Sequence, residues 1–259
     1  MNKRCLLLPL LCVTVIQLSA QSKASTAAAP KAPSGPRIDS VAVSILDRMS
    51  MMIGSLNAAS VTVKSNYDIP SHYLGLVKHS DEQKVYLKGS DKLVIHSDGD
   101  KGSRSYAYNG KTFDYYSLDK NQYGEVAAPA STMEMIDTIN KTYGVEFPVA
   151  DFFYPTFVDD ILAESKALIY LGLTEVDGKE CFHIAGAAAD KTFQFWISND
   201  AFTLPVKMVI VYTQKEMSPQ YEAVLTDWQL NPNLPDALFE FNAPPKARKI
   251  KLTPVSIKH

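Results

Sequence analysis

Three neighbouring segments decide the fold of this chain: KTFQFWIS (191–198), LPVKMVIVY (204–212) and YEAVLTDW (221–228). In each segment apolar residues recur at every second position, which is the period of a β-strand. The turn-forming runs Ser198-Asn199-Asp200 and Ser218-Pro219 separate the segments. One side of each predicted strand is apolar throughout, and the other side is mixed. The pattern therefore predicts an antiparallel meander whose apolar face lines an apolar space.

Alternating segments on both sides of the meander enlarge the predicted sheet to roughly ten or eleven antiparallel strands. They lie at residues 61–67, 73–78, 83–88, 93–97, 103–108, 111–117, 166–176, 180–184 and 238–242. A sheet of this size cannot stay flat and tends to curl or close.

Turn chemistry sets the expected register of two hairpins. Asn109-Gly110 predicts a two-residue type I′ turn, which places Tyr106 opposite Phe113. At residues 177–178 a two-residue turn would bring two glutamates, at positions 175 and 180, face to face. Because like charges opposite each other destabilise a sheet, a longer loop is predicted there.

Helical periodicity appears in two parts of the chain. Asp39 is a candidate N-cap for a long N-terminal helix whose apolar stripe includes Met49, Met52 and Ile53. A capping box opens a second helix over residues 131–144. Amphipathic helices are the only predicted elements that can cover an apolar sheet face. The sequence therefore predicts an α+β fold, with a strongly curved antiparallel half-barrel sheet covered by the long N-terminal helix and by short mid-chain helices.

A broken helical segment at 149–164 carries a dense group of aromatic rings. Pro155 interrupts it, so it cannot form one long helix. The rings belong to Phe152, Phe153, Tyr154 and Phe157. They can be permanent core that closes the open side of the sheet, or a displaceable lid over a lipophilic cavity.

The N-terminus predicts export to the periplasm. Two bases, Lys3 and Arg4, precede an apolar run at 6–16 and the small residues Ser19-Ala20, which is the layout of a cleavable signal peptide over residues 1–20. The run is shorter than the about 20 residues of a membrane-spanning helix. Residues 21–37 are rich in Ala, Ser, Pro and Lys and predict a disordered linker.

Cysteine and charge content narrow the possible functions. Two of the three cysteines lie in the predicted signal peptide, so Cys181 stands alone in the mature chain and cannot form an internal disulfide. Without the two bases of the signal peptide, 24 basic and 28 acidic residues remain, a net charge of −4. This balance argues against nucleic acid or an anionic membrane surface as the partner.

No residue pattern predicts catalysis, a metal site or a cofactor. The five histidines lack metal-ligand spacing, and DGDKG (98–102) lacks the closing carboxylate of a calcium loop, so a tight turn is predicted there. Cys181 and His183 share one strand face, but residues i and i+2 of a strand are too far apart for a nucleophile–base pair. A non-enzymatic protein is therefore predicted. An envelope enzyme whose groups converge from distant strands is the third possibility.

Several motifs resemble a family of predicted periplasmic proteins with no assigned function, domain of unknown function 2092. They are ILDRM (45–49), DGDKGSR (98–104), YNGKT (108–112), VDG (176–178), QFWI (194–197), LPVK (204–207), PQY (219–221), LTDW (225–228) and NP (231–232). The likeness covers about residues 38–245, and a C-terminal tail follows at 246–259. That family resembles the LolA/LolB-like lipoprotein carriers. The resemblance implies a half-open β-barrel with helices over its mouth and an apolar cavity between them.

Together these features predict a periplasmic protein that binds an acyl chain, a lipid or a lipoprotein in an apolar cavity. The predicted ligand-binding residues are apolar side chains of the helix stripe, the aromatic segment and the meander: Met49, Met52, Ile53, Phe152, Phe153, Phe157, Phe193, Phe195, Met208, Ile210, Tyr212 and Leu225. The alternative is an envelope protein–protein interaction or sensor module whose cavity is filled by its own side chains. The chain is not expected to be an integral membrane protein.

Overall fold

The computed structural model describes residues 35–147 and 149–255. The predicted signal peptide and most of the predicted linker lie outside the described residues. The described residues form an α+β fold in which thirteen strands build one open, curved, mostly antiparallel sheet, accompanied by three α-helices. Among them, no helix is long and apolar enough to cross a membrane.

Eleven antiparallel strands form the body of the sheet, and a two-residue parallel strand lies at each edge. The strands are β1 (Arg37–Ile38), β2 (Ala58–Ser71), β3 (Gly75–Lys88), β4 (Lys92–Gly99), β5 (Gly102–Tyr108), β6 (Thr112–Ser117), β7 (Gln122–Ala127), β8 (Ala167–Val176), β9 (Lys179–Ala187), β10 (Thr192–Ser198), β11 (Pro205–Val211), β12 (Gln220–Leu230) and β13 (Arg248–Lys249). Their order in the sheet is β1-β8-β9-β10-β11-β12-β2-β3-β4-β5-β6-β7-β13. The predicted meander is β10–β12 and is confirmed.

The structure differs from the predicted strands in four respects. The segments 73–78 and 83–88 belong to the single strand β3, and 238–242 is not a strand because a 3-10 turn at Asp236–Phe239 takes its place. The missed strand β7 is interrupted in its alternation by Gly124, where a side chain would come within 2.4 Å of Leu252 in the C-terminal segment. The edge strands β1 and β13 are too short to show any period.

The predicted register of the β5–β6 hairpin is wrong by two residues. Tyr108 pairs with Phe113, and Tyr106 pairs with Tyr115, so four residues form the loop. The Asn109 side chain accepts hydrogen bonds from two backbone amides of this loop, 3.0 and 3.1 Å away. This side-chain bonding replaces the backbone bonding of a two-residue turn.

The longer loop predicted between β8 and β9 is also wrong. Val176 pairs with Lys179 across a two-residue turn, in which Asp177 and Gly178 have φ values of 48° and 78°. The two glutamates do face each other, but both are exposed, and their repulsion is screened by solvent. Asp177 and Gly178 adopt the positive φ values that a two-residue turn requires, and the short turn therefore forms despite the charge repulsion.

The α-helices are α1 (Ser40–Gly54), α2 (Thr132–Tyr143) and α3 (Phe157–Glu164). Their predicted caps are confirmed: the Asp39 side chain accepts a hydrogen bond from Val41 N at 2.8 Å, and Ser131 Oγ accepts one from Glu134 N at 3.3 Å. Gly144 ends α2 in the left-handed conformation, with φ 68°. The aromatic segment is broken as predicted, into a 3-10 turn at Ala150–Phe153 followed by α3.

The helix α1 covers only part of the sheet. Its 15 residues span about 22 Å. It packs against β8, α3 and the 3-10 turn, so the prediction of one long covering helix is not confirmed. The stripe that it buries runs from Ala42 to Ile53.

The hydrophobic core lies between the inner face of the sheet and these helices. On β12 the inward side begins with Tyr221, Ala223 and Leu225, as the sequence predicts. A bulge after Thr226 then shifts the alternation. Trp228, predicted on the mixed side, consequently packs against the core, and its Nε1 donates to the carbonyl of Pro205 at 3.1 Å.

Candidate functional site

An apolar cavity of about 300 Å³ lies between the meander and the segment 150–164, which we call the lid segment. Strands β10 and β11 form one wall, and the 3-10 turn and α3 form the other. The apolar lining residues are Val149, Phe152, Phe157, Ile161, Phe193, Phe195, Met208 and Ile210. The alternation of the meander places its members here, because every second side chain of β10 and β11 points to the inner face.

Phe195 is the centre of a cluster of four rings. Its ring centroid lies 5.6 Å from that of Phe152, 5.8 Å from that of Phe157 and 5.2 Å from that of Phe193. These are contact distances for aromatic pairs. Phe152 is only 2% exposed. The lid segment is thus attached to the sheet through its own rings, which occupy part of the space between the two walls.

A glycine on the neighbouring strand makes room for this cluster. Gly186 of β9 pairs with Phe193 of β10. A Cβ atom at position 186 would lie 2.1 Å from Phe193 Cζ and 2.3 Å from its Cε2. The Phe193 ring therefore lies over the glycine, in space that any other residue would fill.

Polar contacts hold the lid segment at its rim. Lys191 Nζ lies 2.9 Å from Glu164 Oε2, and Tyr154 Oη donates to Asp137 Oδ1 at 2.7 Å. Asp151 lies on the same rim, and burial raises the pKa of its carboxyl. Both bonds join the lid segment to other elements, so they must break if the segment moves as a unit.

The structure brings together six of the twelve predicted ligand-binding residues around the apolar cavity: Phe152, Phe157, Phe193, Phe195, Met208 and Ile210. Phe153 points elsewhere, toward Trp228 at a centroid distance of 6.3 Å, and lines a small apolar space of about 20 Å³. Tyr212 lines a different, larger cavity. The other four pack in or against the core, away from these cavities: Met49, Met52, Ile53 and Leu225.

The larger cavity, about 550 Å³ in volume, has a polar lining that the sequence did not predict. It lies over β2–β5 and β12, next to the residues that follow α2. We call it the polar cavity. Its polar and aromatic lining residues are Ser65, Tyr67, Asp68, Asp81, Gln83, Lys101, Arg104, Tyr106, Glu146, Tyr212, Lys215, Gln220 and Tyr221.

A connected hydrogen-bond network forms the floor of the polar cavity. Arg104 Nε donates to Ser97 Oγ at 3.2 Å, and Ser97 Oγ donates to the Asp81 carboxylate at 2.9 Å. Gln83 Nε2 donates to the same carboxylate at 2.8 Å. The carboxylate fits because the neighbouring strand carries Gly99, where a Cβ would lie 2.7 Å from Asp81 Oδ1. The signal in the sequence is that Asp81 and Gln83 occupy the inward positions just before Val85.

Cys181 and His183 have separate partners. The Cys181 thiol is fully buried and donates to the carbonyl of Lys179 at 3.4 Å, and burial raises its pKa to about 11. His183 stacks on Trp196 at 4.3 Å and shares a hydrogen bond with Gln194 at 2.9 Å. A raised thiol pKa is the opposite of what an activated nucleophile requires.

The DGDKG segment forms the tight turn between β4 and β5, as predicted. Within residues 35–147 and 149–255, no group of three His, Cys, Asp or Glu side chains is arranged to hold a metal ion.

The family model described as "Predicted periplasmic protein (DUF2092)" matches residues 42–253. Among curated proteins, none matches this chain.

Several solved structures are similar over most of their length. An uncharacterized conserved protein from Thermus thermophilus is 12% identical, with a TM-score of 0.48, covering 82% of this chain and 99% of that chain. The lipoprotein LppX of Mycobacterium tuberculosis is 13% identical, with a TM-score of 0.44 and coverages of 73% and 96%. A LolA superfamily protein of Nitrosomonas europaea is 12% identical, with a TM-score of 0.35 and coverages of 77% and 97%. At these scores the likenesses do not identify a ligand for this chain.

Proposed function

We propose that this chain, which belongs to the family of predicted periplasmic proteins (DUF2092), is a non-enzymatic protein that binds a lipophilic ligand in the apolar cavity. The ligand class is an acyl chain, a lipid or a lipoprotein. In this proposal residues 1–20 direct export, and the domain at 38–245 acts in the periplasm without a cofactor.

The observation that carries the proposal is the apolar cavity under the lid segment. Ligand pockets in proteins have volumes of about 300–1,000 Å³ and mostly apolar linings with a few polar groups. The apolar cavity lies at the lower end of this range in volume, and eight of its fourteen lining residues are apolar; the other six are Asp137, Asp151, Tyr154, Asp160, Glu164 and Lys191. A long acyl chain therefore requires more space, which the rings of Phe152 and Phe157 would provide by moving aside.

The lid segment is built so that such a displacement costs little backbone hydrogen bonding. Its 3-10 turn has four residues and α3 has eight, and the chain is extended at Tyr154, before Pro155. The rim ion pair Lys191–Glu164 is partly exposed, and pairs of this kind contribute about 0–1 kcal/mol. The hydrogen bond from Tyr154 Oη to the exposed Asp137 carboxylate must also break, and beside that bond ring burial is the main attachment. An acyl chain that enters would bury the same apolar surface that the rings leave.

The test is uptake of a fluorescent fatty acid by Phe152→Ala, with Phe239→Ala as the matched control. Both rings are at most 2% exposed, but Phe239 lines none of the three cavities. Each variant should lose about 3–5 kcal/mol of unfolding free energy. Only Phe152→Ala removes a competitor of the ligand, so its affinity should equal or exceed that of the wild type, whereas Phe239→Ala should bind like the wild type.

Two results would count against the proposal. One is wild-type protein that takes up no probe saturably and releases no co-purified lipid in native mass spectrometry. The other is equal loss of uptake in both variants, because uptake would then follow stability alone and the rings would be permanent core.

An envelope interaction module is the second candidate, and the long β2–β3 hairpin favours it. At the tip of this hairpin Tyr73 and Leu74 are 91% and 76% exposed. Adjacent exposed apolar side chains on a projecting hairpin are typical of a contact surface for another protein. A photo-crosslinking residue at position 74 would test this in intact cells. One defined adduct, abolished by Tyr73→Ser, would favour the interaction module over the carrier.

A further inference from the structure

We propose that the polar cavity binds an uncharged, hydroxyl-bearing group, such as a sugar or a polyol, as the head group of the lipophilic ligand. This inference rests on the proposed function, because it assigns the ligand's polar end to the cavity beside the apolar one. The two cavities share the inner face of the sheet. Ile210, which lines the apolar cavity, pairs on the adjacent strand with Tyr221, which lines the polar cavity. The linings of the two cavities are therefore neighbours, and in this proposal one amphipathic molecule occupies both.

The floor network leaves one acceptor without a partner. Gln83 is 8% exposed, and its Nε2 faces the Asp81 carboxylate. The opposite amide orientation would place two oxygens against each other, so the carboxylate fixes this one. Gln83 Oε1 is consequently buried with no hydrogen-bond partner among the described residues. A buried acceptor without a partner costs about 1–3 kcal/mol, which a ligand donor would recover.

A second polar group without a well-formed hydrogen bond lines the same cavity. Tyr221 Oη is buried and likewise makes no well-formed hydrogen bond within the part of the chain that the structure describes, although the Ser65 hydroxyl, which donates to the carbonyl of Asp81, lies near it. A phenol hydroxyl can donate as well as accept, whereas the Gln83 carbonyl only accepts. A ligand that satisfies both must offer at least one donor, and a hydroxyl group supplies donor and acceptor together.

The charges of the cavity are nearly balanced. Three basic and three acidic side chains line it: Lys101, Arg104, Lys215, Asp68, Asp81 and Glu146. Asp68 is already paired with Lys78 at 2.7 Å. An anionic head group would meet the carboxylates of Asp81 and Glu146, and a cationic one would meet Lys101 and Arg104. With Asp68 paired, three basic groups remain against two carboxylates, an excess of one charge among groups of both signs, so hydrogen bonding decides what binds.

The decisive experiment compares Tyr221→Phe with Tyr86→Phe by isothermal titration calorimetry. Tyr86 lies on β3 but lines none of the three cavities, so it controls for loss of a tyrosine hydroxyl. The probes are an alkyl glucoside, a fatty acid and a fatty amide of equal chain length, all below their aggregation concentrations, and methyl glucoside without a chain. Wild-type protein should prefer the alkyl glucoside. Tyr221→Phe should weaken that affinity by roughly 3- to 10-fold and leave the fatty acid unchanged.

The stability of the variant separates recognition from folding. Because Tyr221 Oη makes no well-formed hydrogen bond in the described residues and has only Ser65 near it, Tyr221→Phe should melt close to the wild-type temperature. The head-group inference is overturned if all chain-bearing probes bind equally well and Tyr221→Phe has no effect. It is also overturned if the protein prefers the amide or the acid. Either result leaves the lipophilic proposal intact. If no chain-bearing probe binds, the lipophilic proposal fails. Methyl glucoside binding that depends on Tyr221 would then support a free saccharide as the ligand, and its absence would refute the site.

Discussion

Gly186→Ala tests whether the Phe193 ring is fixed in the wall of the apolar cavity. The added Cβ would lie between 2.1 and 2.9 Å from three atoms of the ring, closer than real Cβ contacts allow, and the ring is only 3% exposed. The ring must move into the packed cluster, and overpacking of this kind costs about 1–3 kcal/mol. For a domain of this size the cost corresponds to a fall in melting temperature of about 2–12 °C.

A double-mutant cycle with Phe193→Ala isolates this contact. Without the ring, Gly186→Ala should be neutral or stabilise by about 0.4–1 kcal/mol, because alanine restricts the unfolded chain. The coupling energy between the two sites should therefore be about 1–4 kcal/mol, the overpacking cost plus any stabilisation that alanine gives without the ring. Gly54→Ala is the matched control, since nothing lies within 4 Å of a Cβ there. Calorimetric melting that shows Gly186→Ala unchanged in both backgrounds would refute the placement of the ring.

Two further predictions concern buried titratable groups. Burial raises the pKa of Asp114 to about 6, so the folded state holds its proton more tightly than the unfolded state does, and stability falls as pH rises from about 4 to about 6. Urea unfolding should show Asp114→Asn more stable than the wild type by about 1–2 kcal/mol at neutral pH. This difference in unfolding free energy should disappear below pH 4. A difference that does not change with pH would contradict the raised pKa of Asp114. The double variant Cys181→Ser, His183→Gln should lose at most about 1–3 kcal/mol and keep its ligand uptake. Loss of a cellular function with the fold intact would instead favour an enzyme.

Local chemistry made the helix ends and the meander predictable. The residues Asp39, Ser131 and Gly144 act through hydrogen bonds and backbone angles within a few positions of themselves. Apolar residues alternate in the meander because one face of each strand is buried, as in any antiparallel sheet that packs one face against a core. These features need no knowledge of distant parts of the chain.

The register of the hairpins and the edge strands of the sheet depend on contacts that cannot be predicted from a local sequence pattern. The Asn109 side chain extends one turn by two residues, and solvent screening permits the other turn to be short although it pairs two glutamates. The Gly124 that hides β7 is explained only by Leu252, which lies more than a hundred residues away in the sequence. The bulge that turns Trp228 inward also depends on a distant segment, because it arises where β12 pairs with β2.

The sequence indicated the apolar half of the candidate site and missed the polar half. Aromatic residues on strands and in a broken helix predict an apolar surface. Six of the twelve predicted residues do line one cavity. The polar floor was missed because Asp81 and Gln83 read as the solvent side of a strand. Their phase is informative, since they precede Val85 at intervals of two and must share its inner face.

The two cavities divide recognition in a way that follows from their walls. In the proposed function the apolar cavity has one wall of sheet and one wall of rings that move aside, which would let it adapt to chains of different length. The polar cavity is built on the hydrogen-bonded strands β2–β5, whose side chains are fixed by the network around Asp81. Burying polar groups lowers stability in a way that burying apolar residues does not. A buried polar atom without a hydrogen bond is stabilised by a ligand that supplies one. If one ligand occupies both cavities as proposed, affinity for its chain would depend on the lid segment, and selectivity for its head group would depend on the sheet.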